Sequence, residues 1–414
     1  MPGDRPHDIV IYGATGFVGR LLAGYLAEHA PEDLRLALAG RSRERLAAVR
    51  AELAELAPRA AAWPVLVADA ADDAGLRDLA ASARVVVTTV GPYQRYGLPL
   101  ARACAEQGTH CADLTGETLF VRQVIDTCDE AARTSGARIV TACGYDSIPS
   151  DLGVLMLHER AVADGAGDLL DTTLVARAKG GASGGTVDSS RAQLEALTAH
   201  PALTKVLFDP YALSPAREAE PSLPGQRDVR SVFFDHESGQ WVGPFVMGMF
   251  NTRIVRRSNA LLGHAYGKAF RYREAAAFGR GARGRRRAVL MTAGLGLGLA
   301  AMANPLTRPL ANWLMPSPGE GPSEEARRAG WFRMEIRTHT SSGRRYLAVV
   351  AAQGDPGYAA TSVMLGESAL CLAGDPSSLP LAAGVLTPAT ALGTALVERL
   401  RARGFTMTVE ELAS

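Results

Sequence analysis

The feature that most constrains this chain is a glycine-rich turn near its start, between an apolar run and an amphipathic stretch. Residues 9–12 form a β-branched apolar run, which is typical of a strand buried on both faces. After the turn, apolar residues stand at positions 18, 21, 22, 25 and 26, the spacing of a helix with one buried face. This order of strand, tight turn and helix favours an α/β fold built on a parallel sheet.

The turn itself predicts a dinucleotide site. Its pattern G-x-x-G-x-x-G brings backbone N–H groups and a helix N-terminus against a pyrophosphate, and each glycine removes a side chain that would block this approach. A merely tight strand–helix turn would share the pattern, but its place between a strand and a helix favours a cofactor. The predicted contacts are Gly13, Ala14, Thr15, Gly16, Phe17, Val18 and Gly19.

The end of the second predicted strand indicates which dinucleotide binds. Residues 34–39 are apolar and lead into Gly40, Arg41 and Ser42. An NAD site would place a carboxylate here, about twenty residues after the glycines, to bind the ribose 2′-hydroxyl. Arg41 with Ser42 suits a 2′-phosphate instead, although both residues would also suit a solvated helix start. We therefore predict NADP as the cofactor.

The alternation of strands and helices continues until it completes a doubly wound, Rossmann-type parallel sheet. A helix is predicted over residues 117–134, and further strands at 65–69, 85–90, 109–114 and 138–143. Ligands of such sheets bind beyond the carboxyl ends of the strands, where we expect the adenine and the nicotinamide ribose. The residues predicted there are Asp69 for the adenine, and Thr89, Gly91, Pro92 and Tyr93 for the nicotinamide end.

Candidates for catalysis follow the sixth predicted strand. Residues 144–151 are rich in polar side chains, at the sheet edge where the nicotinamide is expected. Within this stretch, Tyr145 and Asp146 are candidates for proton donation or substrate orientation. Asp113 and Glu117 lie on the same edge, and for them we favour helix capping over catalysis.

Beyond residue 151 the pattern changes to that of a second, α+β substrate domain. Strand-like runs occur at 172–176, 229–234, 245–250, 331–338 and 346–352. The last two flank a Ser-Ser-Gly turn signal and predict a hairpin. Helices predicted over 360–372 and 388–403 would return the chain to the first domain. The expected domains are 1–150 for NADP, 151–353 for substrate and 354–414 for the C-terminal return.

The segment 280–307 is unusual because five arginines precede a long uncharged run. The arginines are Arg280, Arg283, Arg285, Arg286 and Arg287. The uncharged run 288–307 could just span a bilayer, with the arginines on the cytoplasmic side. Its glycines fit a buried helix or an interfacial one equally well, so burial, interfacial contact and a true span all stay open.

Composition excludes several other classes of protein. A net charge of +1 argues against a dedicated nucleic-acid binder. The five cysteines include no C-x-x-C pair, so we expect buried thiols and no metal site. Because the first residues lack an apolar signal stretch, we expect a cytoplasmic protein, peripheral to the plasma membrane if 288–307 is interfacial.

Taken together, these motifs resemble those of the saccharopine dehydrogenase-like oxidoreductases. The branch they resemble most is the trans-acting enoyl reductases of actinobacterial polyketide-lipid synthesis. The matching pieces cover nearly the whole chain: 13–19, 40–42, 90–93, 113–117, 144–151, 184–186, 318–322 and 354–358.

The resemblance implies NADPH-dependent reduction of the carbon–carbon double bond of an acyl thioester, carried by a polyketide synthase, in lipid or glycolipid synthesis. A dehydrogenase acting on a C–N bond and a non-catalytic lipid-associated scaffold stay open as alternatives, as does a homodimer. The short-chain dehydrogenase mechanism is excluded because it needs Tyr-x-x-x-Lys, and none of Lys179, Lys205 and Lys268 has a tyrosine four residues before it. In this interpretation Tyr145 is the proton donor and Asp146 orients the substrate.

Overall fold

The computed structural model describes residues 5–180, 184–304, 306–307 and 322–413, and these ranges contain two seven-stranded sheets. In the first sheet all strands are parallel, in the order β13-β6-β5-β4-β1-β2-β3. The second sheet is mixed, in the order β14-β12-β11-β7-β10-β9-β8. The strands are β1 His7–Tyr12, β2 Leu36–Gly40, β3 Val65–Val67, β4 Ala83–Thr88, β5 His110–Ala112, β6 Arg138–Val140, β7 Leu169–Lys179, β8 Phe233–Asp235, β9 Gln240–Pro244, β10 Arg271–Gly279, β11 Trp331–Thr340, β12 Arg345–Gln353, β13 Gly384–Leu386 and β14 Thr406–Leu412.

Helices cover both faces of the first sheet, and its central strands are therefore apolar on both sides. The five cysteines are all free and buried, which confirms the prediction of buried thiols. The helices are α1 Phe17–His29, α2 Arg43–Leu56, α3 Asp73–Ala81, α4 Tyr93–Gln107, α5 Thr118–Ser135, α6 Ile148–Ala163, α7 Gly184–Ala199, α8 Leu203–Phe208, α9 Gly248–Leu261, α10 Gly281–Ala303, α11 Glu324–Arg328, α12 Thr361–Ala373 and α13 Pro388–Ala402.

The C-terminal segment returns to the first sheet, and this confirms the predicted fold class. Strand β13 pairs in parallel with β6 and adds a seventh strand that the sequence did not reveal. Helix α12 packs on α1, and the buried carboxylate of Glu367 accepts hydrogen bonds from Tyr25, Arg399 and Arg403. After α13 the chain crosses to the second sheet, where β14 pairs with β12.

The second sheet confirms the predicted hairpin, since β11 and β12 pair in antiparallel register. Two strand predictions were wrong. Residues 245–250 are not a strand, because β9 ends at Pro244 and helix α9 begins at Gly248. Of the predicted strand 229–234, only residues 233 and 234 lie in a strand, which is β8. Helix α9 was missed because it buries Asn251, Arg253 and other polar residues, which hides its apolar periodicity.

Helix α10 contains most of the apolar run that the sequence analysis left open. It packs along β9 and β10 through one face and leaves the other face in solvent. Among the residues that the structure describes, none of the helices combines the length and hydropathy needed to cross a bilayer. Residues 305 and 308–321 lie outside the described ranges.

A buried carboxyl group ties the returning segment to both sheets. Asp151 on α6 accepts hydrogen bonds from the Ser258 hydroxyl of α9 and from the Ala389 backbone N–H, 2.8 Å away, at the start of α13. Burial raises the pKa of Asp151 to about 7. The folded protein therefore holds this proton more tightly than the unfolded chain does.

We expect Asp151→Asn to flatten the pH dependence of stability. Since the pKa is raised on folding, the stabilising contribution is complete below about pH 4 and is lost as pH rises through about 7. Between about pH 5 and pH 7.5 the wild type should lose roughly 2 kcal/mol more unfolding free energy than the variant does. Urea unfolding followed by circular dichroism measures this, with the exposed Asp78→Asn as control. Parallel pH slopes for Asp151→Asn and wild type would contradict the expectation.

Candidate active site

The glycine turn after β1 is held by close backbone contacts. Gly13 has a φ of +90°, and a Cβ added there would lie 2.8 Å from Thr89 Oγ1. A Cβ at Gly19 would lie only 2.1 Å from the Gly13 carbonyl oxygen, so α1 starts directly against the turn. Gly16 is exposed and Thr15 half-buried, which leaves the turn open to a ligand at the N-terminus of α1.

The neighbouring residues of the motif anchor the turn. Ala14 is fully buried and Val18 is half-buried. The ring of Phe17 meets Tyr358 edge-on, with centroids 4.9 Å apart, and the guanidinium of Arg327 lies 5.3 Å from its centre. The C-terminal half of the chain therefore reaches the predicted pyrophosphate site.

Charged residues follow the ends of β2 and β3, where the 2′-phosphate and adenine were expected. Burial raises the pKa of Tyr12 to about 12, with Asp69 raising it further and Arg41 lowering it, so both charges lie near this ring. Arg41 is exposed and makes no ion pair within the described ranges, which leaves it free for a phosphate. The Ser42 hydroxyl accepts a hydrogen bond from the Arg45 N–H at 3.3 Å and caps α2. Asp69 accepts from the Ala71 N–H at 2.9 Å.

At the end of β4 the structure brings the predicted nicotinamide-side residues next to the glycine turn. The Thr89 hydroxyl donates to the Gly13 carbonyl at 3.2 Å. Gly91 is exposed, Pro92 is buried, and the peptide bond between them is cis. Tyr93 points into the core, where its hydroxyl donates to the Thr88 carbonyl at 3.0 Å. Its buried side chain therefore supports the backbone at the edge of the site.

Glu117 caps a helix, as predicted. The helix is α4, which precedes Glu117 in the chain, and not α5, which follows Glu117. Its carboxylate accepts from the backbone N–H groups of Tyr93 and Gln94, at 2.9 and 2.7 Å. Ser189 on α7 donates to the same carboxylate at 2.6 Å. Asp113 joins the ends of β5 and β6, since it accepts from Thr115 N–H at 2.9 Å and Ala142 N–H at 3.0 Å. Both acids therefore organise backbone at the site.

Tyr145 lies at the junction of the two sheets with its hydroxyl unpartnered among the described residues. Its backbone N–H donates to Thr361 Oγ1 at 3.0 Å, and its ring meets Phe332 of β11 edge-on at 5.1 Å. Burial raises the pKa of the Tyr145 hydroxyl, and the carboxylates of Glu274 and Asp146 raise it further. The phenol therefore stays protonated at neutral pH and keeps a proton to donate.

Asp146 is half-buried beside Gly116, where an added Cβ would lie 3.9 Å from its carboxyl carbon. Burial raises the pKa of Asp146 to about 7. The structure thus places both predicted catalytic residues at one edge of the sheet, beyond β6.

Two further polar residues at this edge were missed by the sequence analysis. Asn251 of α9 donates to Glu274 Oε2 at 3.0 Å and to Ser150 Oγ at 3.2 Å, and accepts from Ser147 Oγ at 3.1 Å. Glu274 of β10 also accepts from the Tyr272 hydroxyl at 2.8 Å, and burial raises its pKa to about 7. One pattern in the sequence indicates Glu274: it stands two residues after Tyr272, so in a strand both side chains lie on the same face.

The arrangement fits a phosphorylated dinucleotide at one end and proton transfer at the other. The turn presents backbone N–H groups, and an unpaired arginine stands where a 2′-phosphate would lie. Beyond β6, a buried phenol and acids with raised pKa values can supply protons near neutral pH.

We expect Gly19→Ala to raise the Kd for NADPH at least about tenfold, equal to about 1.4 kcal/mol. The new methyl group would press on the Gly13 carbonyl and displace the turn that should bind the pyrophosphate. Gly24→Ala, on the same helix with open space around it, should bind NADPH as the wild type does and unfold at the same or higher temperature. Fluorescence titration measures the first effect, and unchanged binding by Gly19→Ala would count against this site.

Comparisons with known proteins identify the cofactor-binding domain and the fold. Residues 9–140 match the saccharopine dehydrogenase NADP binding domain. A solved saccharopine dehydrogenase (L-Glu forming) from Saccharomyces cerevisiae shares the fold, with a TM-score of 0.57 over 98% of this chain and 100% of that chain at 13% identity. NADP is therefore the cofactor of this domain, and the protein is an NADP-dependent oxidoreductase.

Relatives from mycobacteria match the whole chain. A Mycobacterium tuberculosis protein provisionally named a trans-acting enoyl reductase is 50% identical, with 99% of both chains covered. The trans-acting enoyl reductases of Mycobacterium ulcerans and Mycobacterium bovis are 46% and 45% identical, with 99% and 100% of both chains covered. The chain therefore belongs to the family of these mycobacterial proteins, within the saccharopine dehydrogenase-like oxidoreductases.

Proposed function

We propose that this protein reduces the carbon–carbon double bond of an enoyl thioester with NADPH, on an acyl chain built by a separate polyketide synthase for lipid synthesis. The observation that carries the proposal is full-length identity of 45–50% to proteins named for this activity in trans. The separate buried phenol and carboxyl groups of the site support it, because the reaction needs a proton as well as a hydride.

When bound, NADPH supplies the hydride that the β-carbon accepts. The backbone of the glycine turn and Arg41 would hold its phosphates, and the residues after β4 and β6 would lie at its nicotinamide end, on the side of Tyr145. Tyr145 donates the proton that the α-carbon needs once the β-carbon has accepted hydride. Asp146 orients the acyl group beside it.

The surroundings of Tyr145 suit a proton donor more than a proton acceptor. Its ring is packed against Phe332, which fixes its position, while its hydroxyl has no competing partner in the described part of the chain. Nearby carboxylates disfavour the phenolate. Tyr145 is therefore protonated at neutral pH, but the raised pKa also makes it a weak acid. Its proton can leave because the α-carbon becomes a much stronger base once the β-carbon has accepted hydride, and an acid with a pKa near 7 can then return a proton to the phenolate.

For the cofactor, Arg41→Ala should lower the preference for NADPH over NADH by about ten- to a hundredfold. The substitution removes a charge-assisted bond to the 2′-phosphate, which NADH lacks, so the Kd for NADH should stay unchanged. Arg102→Ala, exposed on α4, is the matched control and should bind both cofactors as the wild type does. Nicotinamide fluorescence titrations measure all six dissociation constants, for wild type and both variants with each cofactor. A preference retained by Arg41→Ala would remove this residue from the site.

For the reaction, NADPH carrying deuterium at the nicotinamide C4 should label the β-carbon of crotonyl-coenzyme A and longer 2-enoyl thioesters. Tyr145→Phe should lower kcat by about 10²- to 10⁴-fold while leaving the Kd for NADPH unchanged, since it removes only the donated proton. Mass spectrometry locates the label, and stopped-flow absorbance gives kcat.

The control for Tyr145→Phe is Tyr96→Phe, whose ring is exposed on α4 and should tolerate the loss of its hydroxyl. Full activity of Tyr145→Phe would assign the donor elsewhere. Label transfer to an oxo acid in the presence of an amine, with none to enoyl thioesters, would replace the proposal with C–N chemistry.

A further inference from the structure

Helix α10 is attached to the protein through one narrow face. A Cβ at Gly284 would lie 2.3 Å from the Gly279 carbonyl oxygen, so the helix starts in close contact with the end of β10. Further along the same face, Ala288 is fully buried and Met302 is buried. A Cβ at Gly243 of β9 would lie 3.1 Å from Thr292 Oγ1. These contacts orient α10 and leave its opposite face uncovered.

The uncovered face is apolar along the C-terminal two-thirds of the helix. Leu290, Met291 and Leu297 are 67%, 62% and 72% exposed, and Leu306 just beyond the helix is 89% exposed. The glycines between them, Gly294 among them, have open space around them. Soluble monomers seldom leave large contiguous apolar patches in water, so this face has a binding role.

The N-terminal turns of α10 carry a concentrated positive charge. Arg280, Arg283, Arg285, Arg286 and Arg287 are all exposed and make no ion pair within the described ranges. Arg285 lies over the Trp241 ring, 5.4 Å from its centre, and the other four have no such contact with a described residue. The sequence contains no Asp or Glu from 275 to 319 that could neutralise them. The uncovered face therefore joins unpaired arginines to exposed leucines on one continuous helix.

We propose that α10 docks on an anionic phospholipid membrane, lying in the plane of its surface. The leucines would enter the boundary between headgroups and acyl chains, and the arginines would reach lipid phosphates. An apolar protein partner would not explain four arginines without a partner among the described residues, and an acidic one would not explain the exposed leucines. The uncharged part of α10, roughly 24 Å long at 1.5 Å per residue, is too short to cross the hydrocarbon core. This proposal stands apart from the proposed reaction.

Co-sedimentation of the purified full-length protein with vesicles tests the proposal. The vesicles are phosphatidylcholine alone, or with about 30% phosphatidylglycerol, at about 0.15 M salt. One variant combines Leu290→Gln with Leu297→Gln, and another combines Arg283→Gln, Arg286→Gln and Arg287→Gln. The matched control combines Leu56→Gln with Leu381→Gln, two exposed leucines distant in sequence from α10. NADPH titration confirms that each variant is folded.

We expect wild type and control to bind the anionic vesicles, and each α10 variant to bind at least about tenfold more weakly. Binding to neutral vesicles should be weak throughout, and added salt should release the wild type. The proposal is overturned if wild type stays in the supernatant or if the leucine variant binds as well as wild type. A dimer that the leucine substitutions dissociate, without vesicle binding, would show that a second copy of the chain covers this face instead.

Discussion

A single buried amide, that of Asn251, joins the two sheets beside the candidate site. It bonds Ser147 and Ser150, which follow the last strand of the first half, and Glu274 of the second sheet. Each such bond contributes about 0.5–1.5 kcal/mol, and Glu274 also accepts from the Tyr272 hydroxyl. These bonds link the two sheets next to Ser147, close in the chain to Tyr145.

The sequence was most informative where backbone geometry allows few alternatives. The close approach of Gly19 to the Gly13 carbonyl requires glycine, and β1 must be apolar on both faces because helices cover both. The turn, the parallel sheet and NADP as the cofactor could therefore be predicted from local patterns. The hairpin of β11 and β12 was equally local, since a turn signal stands between two alternating runs.

Features that depend on contacts between distant residues could not be predicted in this way. Strand β13 has only three residues and forms because β6 leaves an open edge, which no local pattern shows. Helix α9 looks polar in sequence, yet Arg253 and Arg257 are buried because their guanidinium groups bond backbone carbonyls of Leu207 and Val385. The position of Glu274 also depends on a distant partner, because Asn251, which donates to it, lies 23 residues earlier on helix α9.

The distribution of charge explains why the two ends of the site can perform different tasks. The exposed Arg41 follows β2, where it would attract phosphates. At the other end of the site, Asp113 and Glu274 are buried and Asp146 is half-buried. The guanidinium group attracts phosphate, so a dinucleotide gains free energy when its phosphate-rich end lies toward the arginine. Burial makes the three acids costly to ionise, and with pKa values of about 7 a substantial fraction of each stays protonated near neutral pH. The exposed arginine and the acids thus lie at opposite ends of the sheet edge. This separation determines both how the cofactor is oriented and where protons are supplied.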